Sequence, residues 1–310
     1  MDGNIETTFV EANGLTFEVE TCGSGDRLAL CLHGFPELAH SWRHQLPLLA
    51  RLGYTAWAPN LRGYGRSSRP ARRADYALEH LLADVAGLID AAGKSSTLLL
   101  GHDWGGMLAW MFALRRMRPL ERLIVMNIPH PLLFVRGLDR WSQRLKSWYI
   151  LWFQVPRLPE LLLGMGRARP IAEILRRSAV DPARFPDEVL EVYREAARQP
   201  GAITAMLNWY RANFDLTGGR LTEQDREALE TRLQTPTLMI WGEQDIALAK
   251  YLTYGTGELV EDFTLRYLPR VGHFVQQEAP ETVNAIIEGW LSGSRMPGTE
   301  HTDTRGEPDR

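Results

Sequence analysis

The sequence of 310 residues contains little cysteine and no excess of positive charge. Its two cysteines, Cys22 and Cys31, are too few for a disulfide framework, and Cys31 lies inside an apolar run. We therefore expect both to be reduced thiols in a cytoplasmic protein. The net charge of −3 provides no global basic field for nucleic acid or anionic lipid, so we expect no nucleic-acid partner.

Long hydrophobic runs and targeting signals are also missing from the printed sequence. Residues 1–10 are polar and acidic, whereas a signal peptide has a basic start and an apolar core. No apolar run approaches the roughly 20 residues that a membrane span needs, so we expect no membrane span. No cluster with metal-ligand spacing is visible either, and we expect neither a metal nor a cofactor.

Short apolar runs alternate with helical patterns along most of the chain. Unbroken apolar runs indicate strands buried on both faces, and their alternation with helices predicts an α/β fold with a mostly parallel, twisted sheet and helices on both faces. Asn13-Gly14 separates two alternating segments before them and predicts an antiparallel hairpin. The runs are residues 28–32, 54–58, 97–100, 123–126, 237–241 and 263–268.

The strand pattern stops after residue 126 and resumes near residue 236. Between them, residues 131–221 show only helical patterns broken by prolines, which indicates an inserted helical lid. We therefore expect a core made of residues 1–130 and 222–292. Residues 293–310 are rich in glycine, proline, threonine and charge, and we expect a disordered tail there.

The most informative motif is Gly-His-Asp-Trp-Gly-Gly at residues 101–106, between an apolar strand and a helical pattern. Small residues on both sides of a central residue are typical of the nucleophile elbow of hydrolases, where strand and helix backbones come close together. The central residue here is Asp103. A carboxylate that attacks a saturated carbon leaves an ester, which water can cleave, whereas a serine would leave an ether. The alternative is that Asp103 only caps the helix.

Two further residues follow in the chain order nucleophile, acid, histidine. Asp245 comes after the run at residues 237–241, and His273 comes after the last strand. We expect His273 to take a proton from water and Asp245 to orient its ring, with His273 neutral in that step. Glu243 and Asp262 are rival acids, but Glu243 is closer to its strand end and Asp262 precedes its strand.

The loop after residues 28–32 carries His-Gly-Phe-Pro-Glu at residues 33–37. In the hydrolase fold such a loop and the residue after the nucleophile provide two backbone amides for an oxyanion, which here are those of Phe35 and Trp104. A plain turn at this position is compatible with that role. We expect His33 and His102 to stabilise turns and not to act in catalysis.

With residues 33–37, Leu-Arg-Gly-Tyr-Gly-Arg-Ser-Ser at residues 61–68, and residues 101–106 in this order, the chain resembles the α/β-hydrolase-fold epoxide hydrolases over about residues 9–290. The resemblance implies a cis peptide between Phe35 and Pro36. It also implies that Tyr149 and Tyr210 of the lid hold the epoxide oxygen, since an opening epoxide develops alkoxide charge that phenols stabilise. Without the resemblance, both tyrosines would be packing aromatics of the lid.

The expected function is conversion of an epoxide to a vicinal diol through an ester on Asp103. The substrate would contact Phe35, Trp104 and Trp152, and an apolar lid underside favours a lipophilic small molecule. The alternatives are a haloalkane dehalogenase with the same nucleophile and a hydrolase-fold protein without catalysis. Two residues argue against the dehalogenase. Phe35 occupies the position at which an asparagine often binds the halide in such enzymes. In the other dehalogenase variant the acid that orients the histidine follows the strand at residues 123–126, and that position here is the neutral Asn127. The oligomeric state stays open.

Overall fold

The computed structural model describes residues 4–215, 218–219 and 222–300. Within these residues, nine strands form one sheet in the order β1-β2-β4-β3-β5-β6-β9-β10-β11, and β7 pairs with β8 in a separate hairpin. The strands are β1 (Glu6–Ala12), β2 (Leu15–Cys22), β3 (Arg27–Leu32), β4 (Tyr54–Pro59), β5 (Thr97–His102), β6 (Arg122–Met126), β7 (Phe214–Asp215), β8 (Gly218–Gly219), β9 (Thr237–Gly242), β10 (Phe263–Leu268) and β11 (Thr299–Glu300).

The centre of the sheet is parallel, which confirms the predicted fold class. Strands β4, β3, β5, β6, β9 and β10 run in the same direction. The hairpin of β1 and β2 is antiparallel and joins the sheet through β4. Because parallel neighbours end at the same edge, the loops after β3, β5, β6, β9 and β10 meet there.

Each central strand is buried on both faces, and this explains why the apolar runs are unbroken. On β3, Leu28, Leu30 and Leu32 belong to one apolar cluster, while Ala29 and Cys31 belong to the cluster on the other face. Burial on both sides therefore fixes the strand positions and leaves the loops at the carboxyl edge for chemistry.

Helices cover both faces and fill the interval between β6 and β9. None of the described helices is both long and apolar enough to cross a bilayer. The helices are α1 (Leu46–Arg51), α2 (Leu78–Ala92), α3 (Trp104–Leu114), α4 (Pro131–Gly137), α5 (Trp141–Lys146), α6 (Trp148–Trp152), α7 (Leu158–Ser178), α8 (Asp187–Ala197), α9 (Ala202–Asn213), α10 (Glu223–Glu230), α11 (Thr256–Leu259), α12 (Val275–Glu278) and α13 (Pro280–Ser292).

Helices α4 to α9 form the segment in which the sequence predicts a lid. The segment is tied to the core at several points. The Trp209 indole donates a hydrogen bond to the Arg62 carbonyl at 3.0 Å, and the Phe35 ring packs edge-on against Phe153 at 5.3 Å. These contacts place α6 and α9 over the carboxyl edge of the sheet.

The last described residues bear on the expected tail. Thr299 and Glu300 of β11 pair in antiparallel register with Tyr267 and Arg266 at the outer edge of β10. This pairing differs from the disorder expected from residue 293 onward, because the edge of β10 offers unpaired backbone groups that a short strand can take. Residues 301–310 lie outside the described residues.

Candidate active site

Asp103 occupies a strained turn between β5 and α3. Its backbone has φ 50° and ψ −120°, a combination that L-residues seldom adopt. A Cβ on Gly105 would lie 2.1 Å from the Leu32 carbonyl oxygen, and one on Gly101 would lie 2.4 Å from the Gly105 carbonyl oxygen. The two glycines therefore permit the close approach of strand and helix. The Asp103 side chain makes no capping hydrogen bond to α3, so its carboxylate is not used as a helix cap.

The loop after β3 reaches this carboxylate directly. The Phe35 amide donates a 2.8 Å hydrogen bond to Asp103 Oδ1, and the Phe35–Pro36 peptide is cis, as the resemblance implies. A Cβ on Gly34 would lie 2.4 Å from Asp103 Cβ, so only glycine lets the loop pass here. Trp104 is the first residue of α3, where backbone amides have no partner within the helix.

His273 lies between two carboxylates. Its Nδ1 is 2.7 Å from Asp245 Oδ2, and its Nε2 is 3.6 Å from Asp103 Oδ2. Both Asp245 and His273 are buried. The rival acids lie elsewhere, since Glu243 pairs with Lys250 and Asp262 lies before β10, at the opposite end of that strand from His273.

Asp245 is held by four hydrogen bonds. Its Oδ1 accepts from the amides of Ala247 and Leu248 at 2.7 and 2.9 Å, and its Oδ2 accepts from Asn127 Nδ2 at 2.7 Å as well as from His273. The Asn127 Oδ1 in turn accepts from the Gly242 amide at 2.9 Å. The sequence interpretation treated Asn127 only as a neutral residue at an acid position and missed this bridging role. The one sequence signal for this role was the position of Asn127 directly after β6, at the carboxyl edge of the sheet.

The three ionisable groups shift one another's pKa. Burial acts to raise the pKa of Asp103, but the neighbouring His273 ring and the Phe35 amide hold it below its usual range. Since 3.6 Å is too long for a direct hydrogen bond, the effect of His273 on Asp103 is electrostatic. Burial likewise acts to raise the pKa of Asp245 and to lower that of His273, and their mutual interaction reverses both shifts. With Asp103 ionised, the site therefore favours an imidazolium.

Glu37 is a buried carboxylate that the sequence analysis did not identify as a site residue, and it connects the loop after β3 with β5 and α12. Glu37 Oε2 accepts from the Gly34 amide at 2.9 Å and from His102 Nδ1 at 2.6 Å, while its Oε1 accepts from Gln276 and Gln277 of α12 at 2.8 and 2.9 Å. Although burial acts to raise the pKa of Glu37, His102 and these donors hold it below the usual value.

His102 continues this network toward His273. Its Nε2 is 2.8 Å from the His273 carbonyl oxygen, so both ring nitrogens of His102 face oxygen atoms. His33 has a different, local role: its Nε2 accepts from the Leu61 amide at 3.0 Å, and burial lowers its pKa to about 4. Both histidines thus act within the backbone framework, and neither contacts the Asp103 carboxylate through a hydrogen bond.

Tyr149 of α6 and Tyr210 of α9 line the same cavities as Asp103. Their rings meet edge to face with centroids 6.0 Å apart, and Tyr210 also packs against Phe35 at 5.3 Å and Trp104 at 5.2 Å. Burial and the nearby Asp103 charge raise the pKa of both phenols. Both hydroxyls therefore keep their protons at neutral pH and are available as donors.

Two cavities of unequal size meet at Asp103, Tyr149 and Tyr210, which line both. The larger, about 800 Å³, is mostly apolar and is also lined by Phe35 and Trp152. The smaller, about 40 Å³, is lined by Met107, Ile128, Phe134 and Phe214 among others. Of the predicted substrate contacts, Trp104 lines the small cavity and the other two line the large one.

The site therefore contains a carboxylate on a strained turn, a histidine held by a second carboxylate, backbone amides and two phenols. Among the residues that the structure describes, no group of three or more His, Cys, Asp or Glu side chains is arranged to hold a metal ion. Such a set can displace a leaving group at a saturated carbon by nucleophilic attack and then hydrolyse the resulting ester with the help of proton transfer.

Comparison with known proteins agrees with this geometry. The family described as alpha/beta hydrolase fold matches residues 30–280. The chain is 38% identical over 293 residues to the AB hydrolase superfamily protein YfhM of Bacillus subtilis, covering 94% of this chain and 99% of that protein. It is also 38% identical over 277 residues to epoxide hydrolase 3 of Xenopus tropicalis, covering 86% of this chain and 73% of that protein.

Solved structures give the same picture. The crystal structure of an epoxide hydrolase from Bacillus megaterium in complex with an inhibitor superposes with a TM-score of 0.83 at 28% sequence identity. The superposition covers 92% of this chain and 100% of that one. The similarity thus extends over the lid as well as the core.

Proposed function

Because this chain belongs to the α/β-hydrolase fold family, we propose that it is an epoxide hydrolase that forms a vicinal diol through an ester on Asp103. The observation that carries the proposal is that two phenols, Tyr149 and Tyr210, line both cavities together with the Asp103 carboxylate. The curated relatives named epoxide hydrolase support the same reading.

In the first step, Asp103 attacks one carbon of the epoxide. Its Oδ1 is held by the Phe35 amide, which leaves Oδ2 as the attacking oxygen. The new bond joins Oδ2 to carbon while the ring carbon–oxygen bond breaks, and the electron pair goes to the epoxide oxygen. Tyr149 and Tyr210 donate hydrogen bonds to that oxygen, and one of them supplies its proton.

In the second step, water hydrolyses the ester. His273 takes a proton from the water, whose oxygen adds to Asp103 Cγ, and the amides of Phe35 and Trp104 stabilise the resulting oxyanion at Oδ1. The bond between Cγ and Oδ2 then breaks, the leaving oxygen takes the proton of the added hydroxyl group, and the diol is released, with Asp103 again a carboxylate. The phenolate left by the first step takes its proton back from His273 before hydrolysis, so the proton that His273 then takes from water restores its charged form in the free enzyme.

The electrostatics of His273 fit this order of events. In the free enzyme two carboxylates surround its ring and raise its pKa. Esterification removes the charge of Asp103, so the pKa of His273 falls and the ring can lose its proton. The neutral histidine that the sequence interpretation required is therefore expected in the ester intermediate, whereas the free enzyme favours the charged form.

The unequal cavities indicate the substrate class. An apolar space of about 800 Å³ on one side of Asp103 fits a large lipophilic substituent, whereas the space of about 40 Å³ on the other side fits only a small one. We infer that the preferred substrates are lipophilic epoxides with one large substituent, the other ring carbon carrying hydrogen or a small group.

One incubation tests the reaction class. A diol from an aryl glycidyl ether is the expected product, whereas halide released from a haloalkane, or no product from either, would contradict the proposal. A matched pair of substrates tests the cavities. A terminal epoxide should react at least about tenfold faster than its internal isomer, a difference of about 1.4 kcal/mol. Met107→Ala, which enlarges the small cavity, should narrow that ratio, and Ile174→Ala in the large cavity is the control.

A further inference from the structure

The lid exposes large apolar side chains that belong to no described core. The exposed apolar face, as we name it, consists of Trp141 and Leu145 of α5, Trp148 and Leu151 of α6, and Leu161 and Met165 of α7. Trp141 is 70% exposed, Leu161 is 67% exposed and Trp148 is 60% exposed. Exposed apolar side chains gathered on three consecutive helices indicate an interaction site, as large exposed apolar patches do in soluble proteins.

The same segment carries a charge opposite to that of the whole chain. Residues 131–170 contain seven basic and two acidic side chains and so carry +5, whereas the whole chain carries −3. One of the two acids, Glu160, is paired with Arg211. The exposed basic residues of the segment include Arg136, Arg144, Arg157, Arg167 and Arg169.

Two members of the exposed apolar face lie at the large cavity. Trp148 and Met165 are both largely exposed and both line that cavity. Ile246, which is 55% exposed, lies on the core side of the same cavity. A ligand dissolved in an apolar phase against this face would therefore reach Asp103 without crossing bulk water.

Charge decides between the possible occupants. A second copy of the chain in a two-fold dimer through this face would bring together two segments that each carry +5, and this repulsion disfavours self-association. An anionic lipid surface instead offers negative headgroups to the arginines and an apolar interior to the tryptophans and leucines, which favour the membrane interface.

We propose that the lid docks on anionic lipid bilayers through the exposed apolar face, with the surrounding arginines bound to headgroups. Binding is peripheral and reversible, since the described chain has no helix able to span a bilayer. This role goes beyond the proposed function and does not depend on it, because docking requires no turnover.

The test is flotation of the full chain with vesicles of phosphatidylcholine alone or mixed equally with phosphatidylglycerol. We expect binding to the mixed vesicles, little to phosphatidylcholine, and release in 1 M salt, where the screening length falls to about 3 Å. Trp141→Ser and Leu161→Ser should each weaken binding by about tenfold. Removal of two charges in Arg136→Gln/Arg157→Gln should weaken it by about 25-fold.

Phe9→Ser, on the edge strand β1 and 49% exposed in the native chain, is the matched control and should bind as the native chain does. Trp141 and Leu161 are both exposed and belong to neither described apolar cluster, so an unchanged midpoint of urea unfolding checks that both variants are folded. Equal binding to both vesicle types would overturn the proposal. Absence of binding to either vesicle would also overturn it. This holds if the chain sediments as a monomer, and equally if it sediments as a dimer that Trp141→Ser dissociates, in which case the face is an interface between two copies.

Discussion

Glu37→Gln tests whether the buried network positions the site. The native carboxylate accepts four hydrogen bonds, two at each oxygen. All four partners are donors. A glutamine side chain keeps one oxygen and replaces the other by an amide nitrogen, so two of the four donors would face a donor. The substitution is nearly isosteric, and its effect therefore reports hydrogen bonding and charge more than packing.

The size of the effect follows from these contacts. Leaving a buried donor without a partner costs about 1–3 kcal/mol, so two such donors give a loss of about 2–6 kcal/mol in the free energy of unfolding. Domains of this kind have about 5–15 kcal/mol of stability, so the variant should fold but be clearly weakened.

Urea unfolding of the native chain, Glu37→Gln, His102→Gln and the double variant measures this directly. Glu258→Gln, at an exposed position, is the control and should change stability by no more than about 0.5 kcal/mol. Because Glu37 and His102 share a buried ionic hydrogen bond, the double variant should lose at least about 1 kcal/mol less than the sum of the single losses. A loss below about 1 kcal/mol for Glu37→Gln, or strict additivity, would refute the reasoning.

Three further predictions concern the reacting groups. Tyr210→Phe should lower kcat by about 10²-fold, since one of two donors to the alkoxide is lost, and Tyr149→Phe/Tyr210→Phe should lower it further; steady-state diol formation measures both. His273→Gln should accumulate enzyme whose intact mass has increased by that of one epoxide, because ester formation proceeds while hydrolysis loses its base. Asp103→Asn should lower the pKa of His273 in an NMR titration, because one of the two carboxylates that raise it is gone.

Each of these has an outcome that contradicts it. An unchanged kcat in Tyr210→Phe would mean that the Tyr210 hydroxyl does not stabilise the transition state. Normal turnover by His273→Gln would mean that another base activates water. A pKa of His273 that stays the same or rises in Asp103→Asn would mean that Asp245 alone sets it. In the native enzyme, ester hydrolysis should slow as pH falls through the pKa of His273 in the intermediate, since protonation removes the base.

The sequence was informative where burial constrains it. Strands buried on both faces must be apolar throughout, so β3, β5 and β9 were visible as short runs, and the residues directly after them lie at the carboxyl edge of the sheet by topology alone. That is why Asp103, Asp245 and His273 could be proposed together although as many as 170 positions separate them.

Properties that depend on tertiary distances were not accessible in this way. Asn127 binds Asp245, and four donors surround Glu37. These residues are far apart in the chain, and their residue types alone do not indicate which partners they contact. The assignment of Tyr149 and Tyr210 came from the resemblance and not from a pattern, since aromatic residues in a lid are usually packing residues. The unequal cavities also follow only from side chains brought together by folding.

The central claim is that the Asp103 carboxylate, and not water, opens the ring, and a single turnover in ¹⁸O-labelled water tests it most directly. With enzyme in excess over epoxide, the account predicts a diol without label and ¹⁸O in the side chain of Asp103, located by mass spectrometry of the peptide that contains it. Label in the first diol formed, with none in Asp103, would contradict the account.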